Sequence, residues 1–241
     1  RQAEFECSDP LLNRIWELSV YTTELLMQYG YQDCLKREEG TLNTSSFNYA
    51  SRAAACCFGD LALARKTLRL GMNTQNESGW FDSHGISSPN QDEPTECLWW
   101  IVWLRDYYLY CGDRAFLREM WEGTEDNLRY WAKAQNRHGL LEGRNFFLQR
   151  PGQLIYLDDV QERGPYVGNW GGELSGLNML YAAALEAAAY LAEALALPER
   201  EAFYRRKAAR VKRALAERFW DAERGVYRDW REGRRIADTA H

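Results

Sequence analysis

The chain has 241 residues, 46% of them hydrophobic and 14% aromatic, with 27% charged and a formal net charge of −5. That content excludes a disordered chain, and the apolar runs are broken too often by Arg, Glu or Asp for a membrane span: even the Ala-rich stretch Leu177–Leu197 carries Glu186 and Glu193. Residues Arg200–Arg235 hold 13 basic and 6 acidic side chains, and their helical spacing without an interleaved aromatic platform predicts a solvated helix and no nucleic-acid partner.

The elements are read in chain order from their punctuation. Ser8-Asp9-Pro10 supplies an N-cap and an N1 proline, Leu11, Leu12, Ile15, Trp16 and Leu18 follow at helical spacing, and Gly30 closes the segment. Further helices are predicted over Phe47–Phe58, Leu61–Thr74, Glu96–Cys111, Asp113 to about Ala134, Leu174–Leu195 and Glu199–Trp220. Phe146–Val167 holds strand-like pieces among Gly and Pro, and Gly225-Val226-Tyr227 suggests a short hairpin. Three tight turns, at Gly59-Asp60, Gly112-Asp113 and Pro198, join long helices into antiparallel pairs. Such pairs bury their faces only by stacking, as in a solenoid or a closed toroid. No Pro/Gly/Ser linker interrupts them, so residues 1–241 read as one all-α helical-hairpin domain. A closed ring of six pairs needs about 300 residues or more, so this chain is expected to supply only part of one, incomplete at its C-terminal end. An open ring exposes apolar helix faces and so predicts self-association or missing partner segments.

The six cysteines have no CxxC or framework spacing, and the start, RQAEFECSDP, has no apolar leader. Both suggest buried thiols in a cytoplasmic protein. His84, His138 and His241 lack metal-ligand spacing, so no metal or other cofactor is expected.

Two polar segments carry candidate chemistry. Residues 31–46, YQDCLKREEGTLNTSS, gather Asp33, Glu38 and Glu39 around Lys36 and Arg37. Glycoside hydrolysis needs one carboxylic acid and one carboxylate flanking the bond, and an arginine that pairs with one of them separates their roles. The same charges also fit an exposed salt-bridged loop. Residues 77–96 contain five acids, no Lys or Arg, and the pair Trp80-Phe81. Aromatic faces stack on sugar rings while acids take hydroxyls, which makes Trp80, Asp82, His84 and Glu96 candidates for substrate binding. The glycines around Asn169-Trp170 fit no phosphate loop, and Trp99, Trp100 and Trp103 read as core.

The segments FECSDPLLNRIWELS, DCLKREE, LWWIVWLRDYYLYCGDRAFL, LNMLYAAALEAAAYLAEAL and FWDAERGVYRD, in that order, resemble the six-hairpin catalytic domain of bacterial α-L-rhamnosidases. The resemblance implies an inverting hydrolase of terminal α-L-rhamnosides. Its loop pattern, DCPxRxERxGWxGD, places the general acid on Glu39, with Glu38 as the neighbour if the register slips. It gives Asp33 and Arg37 sugar-binding and loop-holding roles, and puts Glu96, Asp158 and Trp170 among the residues facing substrate. Leu35 stands in place of the proline, Gly40 in place of the second arginine, and GTLNTSS in place of the Gly-Trp-x-Gly-Asp segment. No residue of this sequence maps onto the general base. Two other readings therefore stand beside the hydrolase: a non-catalytic carbohydrate-binding or helical-repeat module, and another six-hairpin glycosidase.

Overall fold

The computed structural model describes residues 3–32, 44–81, 94–143, 172–232 and 235–237. Seven helices make up most of it: α1 (Pro10–Leu26), α2 (Thr44–Phe58), α3 (Ala62–Met72), α4 (Pro94–Cys111), α5 (Arg114–Ala132), α6 (Ser175–Ala194) and α7 (Pro198–Phe219). Five short strands accompany them: β1 (Glu173–Leu174), β2 (Trp220–Asp221), β3 (Val226–Tyr227), β4 (Trp230–Glu232) and β5 (Arg235–Ala237). The all-α hairpin reading of the sequence holds, including the hairpin after the last helix, which is β2–β3.

The punctuation acts as expected. The Asp9 carboxylate accepts from the Leu11 amide at 2.8 Å and Pro10 occupies the first turn of α1. Asp113 caps α5 by accepting from the Phe116 amide at 3.0 Å. The turns α2–α3, α4–α5 and α6–α7 each use one residue with positive φ: Gly59 at 67°, Gly112 at 63° and Ala196 at 61°. The first two are glycines, for which this conformation carries no steric cost; the third is not.

These turns fix the directions of the helices. Cys97 of α4 meets Asn127 of α5, and Tyr107 meets Phe116, so α4 and α5 are antiparallel. Arg65 pairs with Asp113 and Arg69 with Glu119, so α3 and α5 run parallel. Because α2 turns tightly into α3, α2 is parallel to α4; the Tyr108–Tyr190 contact near their C-terminal ends aligns α4 with α6. The parallel set α2, α4 and α6 packs side by side, with α3, α5 and α7 behind, which is the arrangement of part of an (α/α)6 toroid.

The core lies between these layers. Trp80, Trp100, Trp103, Trp131, Phe116 and Tyr181 are fully buried in it, and Ala184, Ala187, Ala188 and Ala189 give α6 a slim face for its neighbours. Trp100 and Trp103 are core residues as expected, donating from their indole nitrogens to the Leu68 carbonyl at 3.0 Å and the Ser51 hydroxyl at 2.7 Å. Strands β1, β4 and β5 form an antiparallel sheet in that order, pairing Glu173 with Arg231 and Arg231 with Ile236, and β1 leads directly into α6.

The expectation of buried thiols needs correction. Of the described cysteines only Cys57 and Cys97 are buried; Cys56 and Cys111 are exposed and Cys7 is intermediate, because they fall on the outer faces of their helices or before α1. Cys34 lies outside the described residues. The apolar stripe of α1 is mostly uncovered as well. Leu11, Leu12, Ile15, Leu18, Tyr21 and Leu25 are all exposed, Leu11 by 65%, and Val20 is the buried residue of that helix. No helix among the described residues is long and apolar enough to cross a membrane.

Candidate active site

Parallel packing of α2, α4 and α6 brings their N-termini to one end of the layer. The tight turns lie at the other end. The three long connections of the chain lead into those N-termini: 33–43 into α2, 82–93 into α4 and 144–171 into β1 and α6. Helix N-termini carry a partial positive charge that favours ionised carboxylates nearby. Loops carried on a rigid scaffold are where binding and catalytic residues concentrate.

Each connection leaves and returns through a pair of residues held together by the fold. For the first, Tyr31 packs on Phe47 and both pack on Trp103, with ring centroids 6.2–6.4 Å apart. The Gln32 amide donates to the Leu26 carbonyl at 2.9 Å. Inside the return, the Asn48 side-chain amide donates to Asp106 at 3.1 Å, and the other Asp106 oxygen takes the Arg105 guanidinium at 2.5 and 2.8 Å. Burial, and then the charge of Asp60, push the Tyr31 phenol well above its ordinary pKa, so it is a neutral hydroxyl. Tyr31 Oη, Gln32 Oε1 and Asn48 Oδ1 are buried without a hydrogen-bond partner among the described residues. Buried polar atoms are nearly always paired, so three such atoms at both ends of one connection mark where further polar groups belong.

The second connection is closed by Phe81 and Cys97. The Cys97 thiol donates to the Phe81 carbonyl at 3.3 Å, the Phe81 ring packs on Trp100 at 5.1 Å, and Asn127 donates to the Cys97 carbonyl at 3.0 Å. Glu96, in the first turn of α4, is 5% exposed, so this carboxyl is held at the helix entrance and away from bulk solvent.

The third connection is closed by Gly143 and Gly172, whose amide and carbonyl bond at 2.9 Å, next to the bridge between Glu142 and Glu173. Asn178 locks this junction, accepting from the Leu141 amide at 2.6 Å and donating to the Leu141 and Leu174 carbonyls at 3.0 and 2.9 Å. Glu173 is buried and takes Asn136 at 2.6 Å on one oxygen and the Arg218 fork on the other.

The sequence candidates divide accordingly. Asp33, Arg37, Glu38 and Glu39 belong to the first connection, Asp82 and His84 to the second, Asp158 and Trp170 to the third, and all eight lie outside the described residues. Glu96 stands at the mouth of α4. Trp80 is corrected: it is 2% exposed, with its indole packed against Tyr130 at 5.2 Å and Trp131 at 6.1 Å, so its faces are taken by protein and not offered to a ligand. Sequence reasoning passed over Asn48, Asp106, Glu173 and Asn178. A polar residue one turn into an otherwise largely apolar helix was the available signal for Asn178.

A half-ring of helical hairpins with long connections gathered at the N-termini of its parallel helices defines a six-hairpin, glycosidase-type domain. The chain belongs to the family described as the bacterial alpha-L-rhamnosidase 6 hairpin glycosidase domain, whose model matches residues 1–237. Among solved structures it is similar to a GH78 family rhamnosidase of Bacillus sp. GL1, with 23% identity and a TM-score of 0.82, covering 98% of this chain and 24% of that one. It is also similar to a rhamnosidase from Klebsiella oxytoca with rhamnose bound, with 21% identity, a TM-score of 0.74, and coverage of 92% and 41%. A third likeness is to an alpha-L-rhamnosidase from Dictyoglumus thermophilum, with 17% identity, a TM-score of 0.61, and coverage of 91% and 24%. The chain thus spans well under half the length of each of these proteins. No curated protein matches it.

Proposed function

We propose that this chain carries the general-acid side of an inverting α-L-rhamnosidase site and binds a terminal rhamnoside or a related glycoside. The observation that carries the reading is the family match over residues 1–237 together with the convergence of the three connections on one end of α2, α4 and α6. In this reading Glu39 protonates the departing glycosidic oxygen, while Asp33, Arg37 and Glu96 hold the sugar. Glu96 suits a binding role, since its carboxyl sits in the first turn of α4, where the second connection enters the helix. The second carboxylate that inversion requires has no counterpart assigned in residues 1–241. A reducing, cytoplasmic setting is proposed with it, from six cysteines that show neither CxxC nor framework spacing.

The second reading is a carbohydrate-binding module that keeps the scaffold without the chemistry. The segment GTLNTSS favours it, because an aromatic floor and a second aspartate are replaced there by small polar residues. The experiment that separates the two is turnover of an aryl α-L-rhamnoside by the full-length gene product and by its Glu39→Gln variant. Hydrolysis lost in the variant with sugar binding kept supports the acid role. Equal turnover in both removes Glu39 from that role, and rhamnose binding without any turnover in the parent selects the module.

A further inference from the structure

The outward face of α7 carries several cations without a carboxylate partner among the described residues. Most cations of this region have carboxylate partners: Arg200 with Glu125, Arg205 with Glu193 and Glu201, Lys212 with Glu186, Arg218 with Glu173, and Arg228 with Asp221. Arg206, Lys207, Arg210 and Arg213 have no ion pair among the described residues. Arg206, Arg210 and Arg213 are exposed and, spaced by four and three residues, fall on one stripe. Like charges at these spacings repel, so an idle helix face would be expected to alternate its signs.

Neighbours strengthen the concentration of charge. Arg210 donates to the Arg137 carbonyl at 3.1 Å, which brings an exposed fifth cation alongside. Lys207 is half-buried with its ammonium 5.3 Å from the Phe203 ring; burial first, and then the charge of Arg210, lower its pKa. Glu217 is the carboxylate on the same stripe.

The stripe runs into an aromatic corner. Continuing by four and then three residues from Arg213 leads through Glu217 to Trp220, at the end of the helix. Trp220 is 47% exposed and Tyr227, its cross-strand partner, 41%, and their rings meet at 5.0 Å and 61°. A cross-strand aromatic pair stabilises a hairpin, but here both rings also keep surface in solvent. From Arg206 to Trp220 the face is about 21 Å long.

We propose that this face of α7, Arg206, Arg210 and Arg213 with the Trp220–Tyr227 corner, is a secondary binding surface for an acidic polysaccharide, a glycan chain bearing uronate carboxylates. The guanidinium groups take carboxylates as forked hydrogen-bonded pairs, and the aromatic corner takes the apolar face of a sugar ring. The surface lies on the layer behind α2, α4 and α6, so it holds a polymer beside the domain without occupying the candidate active site. The inference rests on the carbohydrate reading for its choice of ligand. A small neutral aryl rhamnoside tests that reading alone, so the two fail separately.

The test is binding of the purified 241-residue chain to polygalacturonate at low salt, with dextran as the neutral polymer and a single-stranded oligonucleotide as the competing polyanion. The expected result is binding to polygalacturonate and not to dextran, weakening as salt rises. Arg206→Gln with Arg213→Gln should weaken it roughly five- to tenfold, the scale of two exposed charge contacts, and Trp220→Ala should weaken it while keeping the salt dependence. Both replacements are exposed, and circular dichroism verifies that the fold is retained. Failure of the parent chain to bind, equal binding by the double variant, or tighter binding to the oligonucleotide overturns the proposal.

Discussion

Arg218, in the last turn of α7, forks onto Glu173, the residue that opens β1, with its Nε at 2.9 Å and Nη2 at 2.8 Å from the same carboxylate oxygen. Both side chains are largely buried, and the other Glu173 oxygen is filled by Asn136. Removing one partner leaves an uncompensated charge in the interior. Arg218→Met is therefore expected to lower stability by about 3–5 kcal/mol, and the double variant Arg218→Met with Glu173→Leu to recover a large part of the loss. Urea denaturation of the two variants checks this; a single variant as stable as the parent would show the pair to be dispensable.

Asp113 is a cap and an ion-pair partner at once. The Phe116 amide, and then Arg65 and Tyr107, hold its carboxyl below the usual carboxylate range. Because the folded pKa is depressed, its stabilisation is present above the unfolded value near about 3.9 and is lost as pH falls through the folded one. Asp113→Asn should cost about 1 kcal/mol at neutral pH and flatten the decline in melting temperature below about pH 4. An acid limb identical to that of the parent would remove Asp113 from this role.

Ala196 adopts a φ of 61° where the two equivalent turns use glycine. The Leu197 amide still closes the turn onto the Ala192 carbonyl at 2.9 Å, so the conformation is imposed by the cap. Ala196→Gly relieves the steric cost of the left-handed conformation and is expected to be neutral or stabilising by up to about 1 kcal/mol, despite the added freedom of the unfolded chain. A clear drop in melting temperature would contradict this.

The uncovered stripe of α1 predicts association. Replacing Leu11, Ile15 and Leu18 with Gln should reduce the scattering mass of the 241-residue chain and raise its solubility, with little loss of stability, since these side chains are already exposed. A parent chain that is monodisperse and monomeric would refute the expectation.

What the sequence made legible followed from local rules. Asp9-Pro10, Gly59, Gly112-Asp113 and Pro198 mark helix ends by chemistry that acts within a few residues, and the helices begin and end close to where those marks predict. What it hid depends on distant partners. Trp80 sits beside a polar segment and reads as a sugar platform until Tyr130 and Trp131, far along the chain, close over it. The spacing of Leu11, Ile15 and Leu18 shows that α1 has an apolar face but not whether anything covers it. The pairing of β1 with β4 joins residues more than fifty apart, and the Glu173–Arg218 bridge beside it spans 45. The candidate acid and its neighbours lie in segments that the described residues frame without including.

The paired residues at the mouths of the three connections have an evolutionary consequence. Tyr31 with Phe47, Phe81 with Cys97, and Gly143 with Gly172 act as fixed sockets, so a connection can change length or sequence while both of its anchors stay seated in the helical layer. Insertions in such segments cost little, because closure entropy grows only slowly with length. Each connection is therefore free to diverge on its own, one socket at a time, without refolding the scaffold.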